Sequence, residues 1–209
     1  MFRNREDAAR QLAQALAAWR GRHPLVLAIP RGALPMGRVI ADELGGELDV
    51  VLVRKIGAPF QPEFALAAID EAGDLHWTPG IGPESAEPRW LEQEKRAQLE
   101  LIRQRRERYR AGREPVDPAG RVVIVVDDGL ATGSTMVAAL HATRARKPER
   151  LICAVPVAAS SAVERVRPFA DEVVCLSTPV FFQAVSQFYR EFPQVEDEEA
   201  ERILAGSVR

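Results

Sequence analysis

Five consecutive apolar residues, Val122–Val126 (VVIVV), constrain the fold of this chain more than any other feature. All five are β-branched, which favours extended backbone. A strand with no polar face must be covered on both sides, as inside a parallel sheet packed between helices. The run ends in two adjacent carboxylates, Asp127 and Asp128, and a turn of small residues, Gly129–Thr135 (GLATGST). Helical spacing is predicted after it, over Ser134–Ala145.

The alternation repeats along the chain. Leu25–Ile29, Asp49–Val53, Leu151–Val157 and Glu172–Leu176 predict further strands. Helices are predicted over Leu34–Leu44, stopped by Gly45-Gly46, and over Ala159–Val166. An N-terminal helix over residues 6–19 sets Leu12, Leu16 and Trp19 toward one face, and Ala65–Trp77 predicts a short antiparallel pair turning near Glu71–Asp74. The expected fold class is α/β, with a mainly parallel central sheet flanked by helices.

Composition narrows the function classes. Of 209 residues, 46% are hydrophobic, enough for a core, and the net charge of -2 speaks against a nucleic-acid footprint. No apolar run approaches the ~20 residues of a membrane span, and MFRNREDAAR lacks the apolar centre of a signal peptide. Cys153 and Cys175 sit in apolar stretches and are expected as reduced thiols of a cytoplasmic protein. His23, His76 and His141 show no metal-ligand spacing.

In parallel sheets ligands bind beyond the carboxyl ends of the strands. That rule directs attention to the residues after Ile29, Val53, Val126 and Leu176. Backbone N–H groups of the turn after Val126, with the helix start behind it, suit an anion. Gly133 permits close approach, and Thr132, Ser134 and Thr135 add hydroxyls. A Walker A loop needs Lys after its second Gly; here Ser134 follows Gly133. Paired carboxylates repel a nucleoside triphosphate but suit a sugar diol beside a monophosphate. The plain alternative is a strand-to-helix turn with Asp127 and Asp128 as caps.

The segment VIVVDDGLATGST, Val123–Thr135, resembles the phosphoribosyl pyrophosphate (PRPP) signature of type I phosphoribosyltransferases. The resemblance implies that Asp127 and Asp128 hold the ribose hydroxyls, while Ala131, Thr132, Gly133, Ser134 and Thr135 wrap the 5′-phosphate. Arg31-Gly32, after Ile29, resembles the family's pyrophosphate loop, and Arg54-Lys55 resembles its basic pair after the second strand; otherwise Arg31 is a routine loop cation and Arg54-Lys55 a routine solvated pair. The span from Val26 to Pro59 resembles adenine-type enzymes and a bacterial group of phosphoribosyltransferases known by prediction. Ala131 stands where hypoxanthine–guanine enzymes carry an acid.

The resemblance further implies a Mg²⁺-dependent pentosyltransferase in which Mg²⁺ arrives mainly through PRPP. Asp127, Asp128, Arg31 and Lys55 would be the catalytic groups, and Gly57–Phe64 a lid. A small hood would contact the acceptor, a small-molecule base. Phe181 or Phe182 could stack on it, or the segment could be a packing helix, since Val185, Phe188 and Phe192 have helical spacing. A single domain is expected over 1–209, with its core over about 21–57 and 119–177, an inserted helical segment over about 78–118 and a hood over about 178–209. Within the insertion, the basic stretch Arg89–Arg113 reads as an anionic-partner surface or, given its interleaved glutamates, as a solvated helix with spaced ion pairs. A terminal amphipathic helix is expected over Asp197–Leu204. The chain is expected to form a homodimer, with no membrane and no nucleic-acid partner. Alternatives are a PRPP-sensing regulator and, behind it, a phosphoribosyl hydrolase or pyrophosphokinase relative.

Overall fold

A computed structural model describes residues 1–78, 80–110 and 114–206, without the side chains of residues 62 and 63. Residue 79 and residues 111–113 of the basic stretch lie outside the described residues.

The helices are α1 (Arg5–Ala15), α2 (Leu34–Leu44), α3 (Pro88–Arg110), α4 (Ser134–Ala145), α5 (Ser160–Val166) and α6 (Asp197–Ala205). The strands are β1 (Leu25–Ala28), β2 (Glu47–Val50), β3 (Val53–Ala58), β4 (Gln61–Asp70), β5 (Leu75–Trp77), β6 (Val122–Val126), β7 (Arg150–Val157) and β8 (Glu172–Ser177). Five strands form a parallel sheet in the order β2-β1-β6-β7-β8. The remaining three form an antiparallel sheet, β3-β4-β5.

The continuous apolar run does what its composition requires. All five β6 residues are buried. Val122, Ile124 and Val126 pack into one core, with Leu12, Leu16, Met36 and Ile40 of the α1–α2 side. Val123 and Val125 pack into a second, with Met136, Leu140 and Val166 of the α4–α5 side. Alternate residues therefore face opposite layers of helix. Local signals set the helix ends: Asn4 caps α1 by accepting the Asp7 N–H at 3.0 Å, and α2 stops at Gly45, whose φ of 66° is left-handed.

The structure corrects three expectations. The block Asp49–Val53 is not one strand: β2 ends at Val50, and β3 begins at Val53 in the other sheet. An apolar run carries no mark of a change of sheet. Arg54 and Lys55 consequently lie within β3, not in a loop beyond a strand. Residues 57–64 form the irregular end of the β3–β4 hairpin, with register shifts at Ile56/Gly57 and Gly57/Ala58. Finally, Val185–Phe188 is a single 3₁₀ turn and the chain to Phe192 is not helical. No helix among the described residues is long and apolar enough to cross a membrane.

α3 shows how a basic stretch is held. Arg103 pairs with Glu100 at 2.9 Å and Glu107 at 3.8 Å, and Arg108 pairs with Asp197, Glu198 and Glu201 of α6. Buried Leu91, Ile102 and Tyr109 anchor its inner face. Both cysteines are free thiols, with Cys153 buried.

Candidate active site

β1 and β6 are neighbours with Ala28 level with Val126, so the segments that follow them emerge side by side. The loop Pro30–Gly32 thereby meets Asp127 and Asp128. Contact is tight: a Cβ at position 32 would overlap Asp128 Oδ2, so this approach requires glycine. The Pro30–Arg31 peptide bond is cis.

The acids differ in their partners. Asp127 Oδ1 accepts the Asp128 backbone N–H at 2.9 Å. Asp128 Oδ2 accepts from Arg5 Nε at 3.0 Å and Arg5 Nη2 at 2.9 Å. Asp127 Oδ2 and Asp128 Oδ1 accept no hydrogen bond among the described residues. Burial, and then the charge of Asp128, push the pKa of Asp127 well above the usual carboxylate range. Burial also raises that of Asp128, with the Arg5 guanidinium opposing. Two adjacent, half-buried carboxylates resist full ionisation until something neutralises them.

Arg5 is a hub. It also donates from Nη1 to the Pro193 carbonyl at 2.6 Å and lies 3.7 Å from the centroid of Phe192. The Tyr189 hydroxyl donates to the Asp128 carbonyl at 2.6 Å. The C-terminal segment is thus fastened to the acid pair by Arg5 and Tyr189.

The turn after the acids is anchored at both sides. Leu130 donates its N–H to Val157 and accepts from Ala159, each at 2.9 Å. Gly133, at the start of α4, has a φ of 76°, which favours glycine. Ala131, Thr132 and Thr135 are exposed, and Ser134 is half-buried. Thr132 and Ser134 hydroxyls lie 3.3 Å apart. Main-chain N–H groups and hydroxyls thus stand together at the start of α4, donors of the kind an anion needs.

Cations gather across from it. A cleft of about 330 Å³ is bounded by Pro30, Arg54, Lys55, Arg105 and Thr135. A second, of about 610 Å³, is bounded by Arg5, Pro30, Arg31, Gly32, Arg105 and the segment Phe192–Val195. Pro30 and Arg105 border both. Arg54 donates to Gln98 at 2.8 Å, and burial, then the charge of Arg105, lower its pKa. Half-buried Arg105 has no ion-pair partner among the described residues. Neither guanidinium has a carboxylate within ion-pair distance among the described residues, although Glu94 acts on Arg54 at longer range, so positive charge is left beside the cleft. Arg31 turns toward α6, with Asp197 at 3.4 Å and Glu196 at 3.9 Å.

The two phenylalanines do not join this site. Phe181 is 89% exposed, and Phe182 packs on Phe188 with ring centroids 5.2 Å apart. Phe192, Gln194 and Ser186 border the larger cleft instead. Among the described residues no group of three or more His, Cys, Asp or Glu side chains could hold a metal alone. The two unengaged carboxylate oxygens nevertheless suit a hard cation that brings other oxygen ligands with it.

The chain matches the Phosphoribosyl transferase domain over residues 3–191. Two Mycobacterium tuberculosis proteins provisionally named phosphoribosyl transferases, from strains CDC 1551 and H37Rv, are each 42% identical over 208 residues, covering 98% of this chain. The chain spans 46% of the length of those relatives. The crystal structure of TT1426 from Thermus thermophilus superposes with a TM-score of 0.93 at 46% identity, covering 100% of this chain and 99% of that one. The chain belongs to the phosphoribosyltransferase family, a class of pentosyl-transferring enzymes.

Proposed function

We propose that this chain transfers the 5-phosphoribosyl group of PRPP to a nitrogen of a small-molecule base and releases pyrophosphate. The observation that carries the reading is the acid pair with one open oxygen on each carboxylate, set between the hydroxyl-rich turn and the arginine-lined clefts. Asp127 and Asp128 accept the ribose hydroxyls. Residues Ala131–Thr135 hold the 5′-phosphate. Gly32 leaves room for pyrophosphate, and Arg31, Arg54, Lys55 and Arg105 surround it.

Charge dictates the mechanism. As the bond from C1 to the pyrophosphate oxygen breaks, the sugar becomes cation-like and the leaving group gains negative charge. The fixed guanidiniums and Lys55 stabilise the latter, and the carboxylates lie beneath the former. The acceptor nitrogen then bonds to C1 and loses its proton to solvent. Asp127 and Asp128, through their open oxygens, would help hold a Mg²⁺ ion that arrives with the substrate, and that ion would supply further neutralisation of the leaving group. The base occupies the larger cleft beside Phe192, Gln194 and Ser186. The β3–β4 hairpin end, residues 57–64, closes over the reaction and limits loss of PRPP to water.

Calorimetry with PRPP and Mg²⁺, followed by a screen of bases for PRPP-dependent pyrophosphate release, tests the reading. Turnover with one base supports it. Tight PRPP binding without turnover of any base would convert the chain into a PRPP-sensing regulator.

A further inference from the structure

A cleft of about 470 Å³ lies between α4 and the three-stranded sheet, sharing only Lys55 with the clefts around Pro30. Its volume is that of a small-molecule site. α4 contributes one face, Ser134, Val137, Ala138 and His141, spaced as a helix requires. β4 contributes Ala65, Ala67 and Ala68. The cleft exists because alanines stand on both of these walls.

The other walls are flat rings, those of Phe64, Trp77 and Phe169. The His141 ring stands edge-on to His76 at 5.6 Å and to Phe169 at 5.5 Å. Burial, then the charge of His76, holds the pKa of His141 below its usual value, so near neutral pH it is an uncharged ring. Its buried Nδ1 has no hydrogen-bond partner among the described residues.

Among the described residues, the charged groups that border the cleft are Lys55 and Arg165. The nearby acid Asp70 is already engaged by His76 at 2.8 Å and by the N–H groups of Ala72 and Asp74. Arg165 is exposed and donates to Ser134 Oγ at 3.4 Å, with no carboxylate partner among the described residues. Aromatic walls with a cationic rim complement a ring that carries negative charge.

We propose that this cleft is a second ligand site, adjoining the PRPP groove at Lys55 and Ser134, that takes a flat aromatic molecule bearing one anionic group. The ring lies between the β4 alanines and α4, and the anion meets Arg165 at the rim away from the phosphate turn. The proposal does not rest on phosphoribosyl transfer, and its test contains no PRPP.

The probe is anilinonaphthalenesulfonate, an aromatic anion that fluoresces in apolar surroundings, titrated into the full chain by fluorescence and calorimetry. One molecule should bind per chain. Arg165→Ala should weaken it about tenfold, the loss of one charge-assisted contact. Ala65→Phe, which places a ring in the cleft from the half-buried edge of β4, should abolish binding while the melting temperature holds. Ala138→Phe fills the cleft from the opposite wall and serves if the first variant does not fold. Phenylnaphthylamine, the uncharged analogue, and inorganic phosphate alone should each bind at least tenfold more weakly than the probe. Probe binding unchanged in Arg165→Ala and in a folded filled variant, or equal binding of the uncharged analogue, would overturn the proposal.

Discussion

Two arginine–aspartate pairs, each joining residues far apart in the chain, occupy nearly opposite states of completion. Asp49 is closed. Its Oδ1 accepts from Val50 N–H at 2.8 Å and Arg110 Nε at 3.2 Å; its Oδ2 accepts from Val116 N–H at 2.9 Å and Arg110 Nη2 at 3.3 Å. Arg110 also reaches Glu71 and the Val50 carbonyl. Asp128, by contrast, gives one oxygen to Arg5 and leaves the other unengaged. A buried charge that only holds structure is satisfied on every lone pair the fold can reach. A carboxylate left half satisfied at a strand end, beside a glycine-dependent loop, has capacity for a ligand. The number of used oxygens, more than the presence of a salt bridge, separates the two roles.

The comparison breaks most visibly at Arg110. Arg110→Met leaves Asp49 buried without its cation, and removal of one partner of such a pair costs about 3–5 kcal/mol. Urea denaturation should show that loss. PRPP affinity of the folded fraction should not change, because this pair has no oxygen facing the site.

At the open pair the effect moves from stability to chemistry. Asp127→Asn and Asp128→Asn should each lower turnover roughly ten- to a thousand-fold, ~1.4–4 kcal/mol in the barrier. The pH dependence of stability gives an independent check at Asp127. Its folded pKa is raised, so the folded state holds the proton more tightly than the unfolded chain does. The wild type should therefore lose stability as pH rises from the ordinary aspartate range through the raised value. Asp127→Asn removes that penalty. Its melting temperature should match or exceed the wild type's at neutral pH, and the two should converge in acid. Unfolding of the Asn variant at neutral pH would make Asp127 a structural cap.

Arg105 sharpens the same point from the cationic side. It has no carboxylate to satisfy, so Arg105→Gln should leave the melting temperature unchanged. Loss of one charge-assisted contact to pyrophosphate should raise the KM for PRPP about ten- to a hundredfold, on the order of 1.5–3 kcal/mol. An unchanged KM would return Arg105 to the solvated face of α3.

The open pair's acids, turn and glycine were legible in the sequence because they are local. Asp127 to Thr135 is contiguous, follows an unmistakable strand and precedes a helix. The parallel sheet was legible for the same reason: apolar blocks announce strands covered on both faces. What could not be read arrives through the tertiary fold. Arg5 is 123 residues from Asp128, in an N-terminal helix whose spacing marks only its buried face. In the basic stretch Arg103, Arg106, Arg108 and Arg110 pair with carboxylates while Arg89, Arg96 and Arg105 have no ion pair among the described residues, and sequence gives no means of telling which of these borders the cleft. The helical spacing of Val185, Phe188 and Phe192 misleads because Tyr189, between them, is drawn into contact with Phe2 and the Asp128 carbonyl. Pro193 then disfavours helical backbone at Phe192.

The smallest expected effect tests that last correction. Phe181 is almost fully exposed, while Phe192 lies under the Arg5 guanidinium at the border of the larger cleft. Phe181→Ser should change the melting temperature and every kinetic constant by no more than an exposed substitution does, within about 0.5 kcal/mol. Phe192→Ala should instead raise the KM for the base that the screen identifies, and loosen Arg5 from the C-terminal segment. Steady-state kinetics on both variants, with the base varied at saturating PRPP, distinguishes the two rings. If Phe181→Ser raised the KM for the base and Phe192→Ala did not, the acceptor would bind against the exposed residues near 181, and the cleft beside Arg5 would serve pyrophosphate alone.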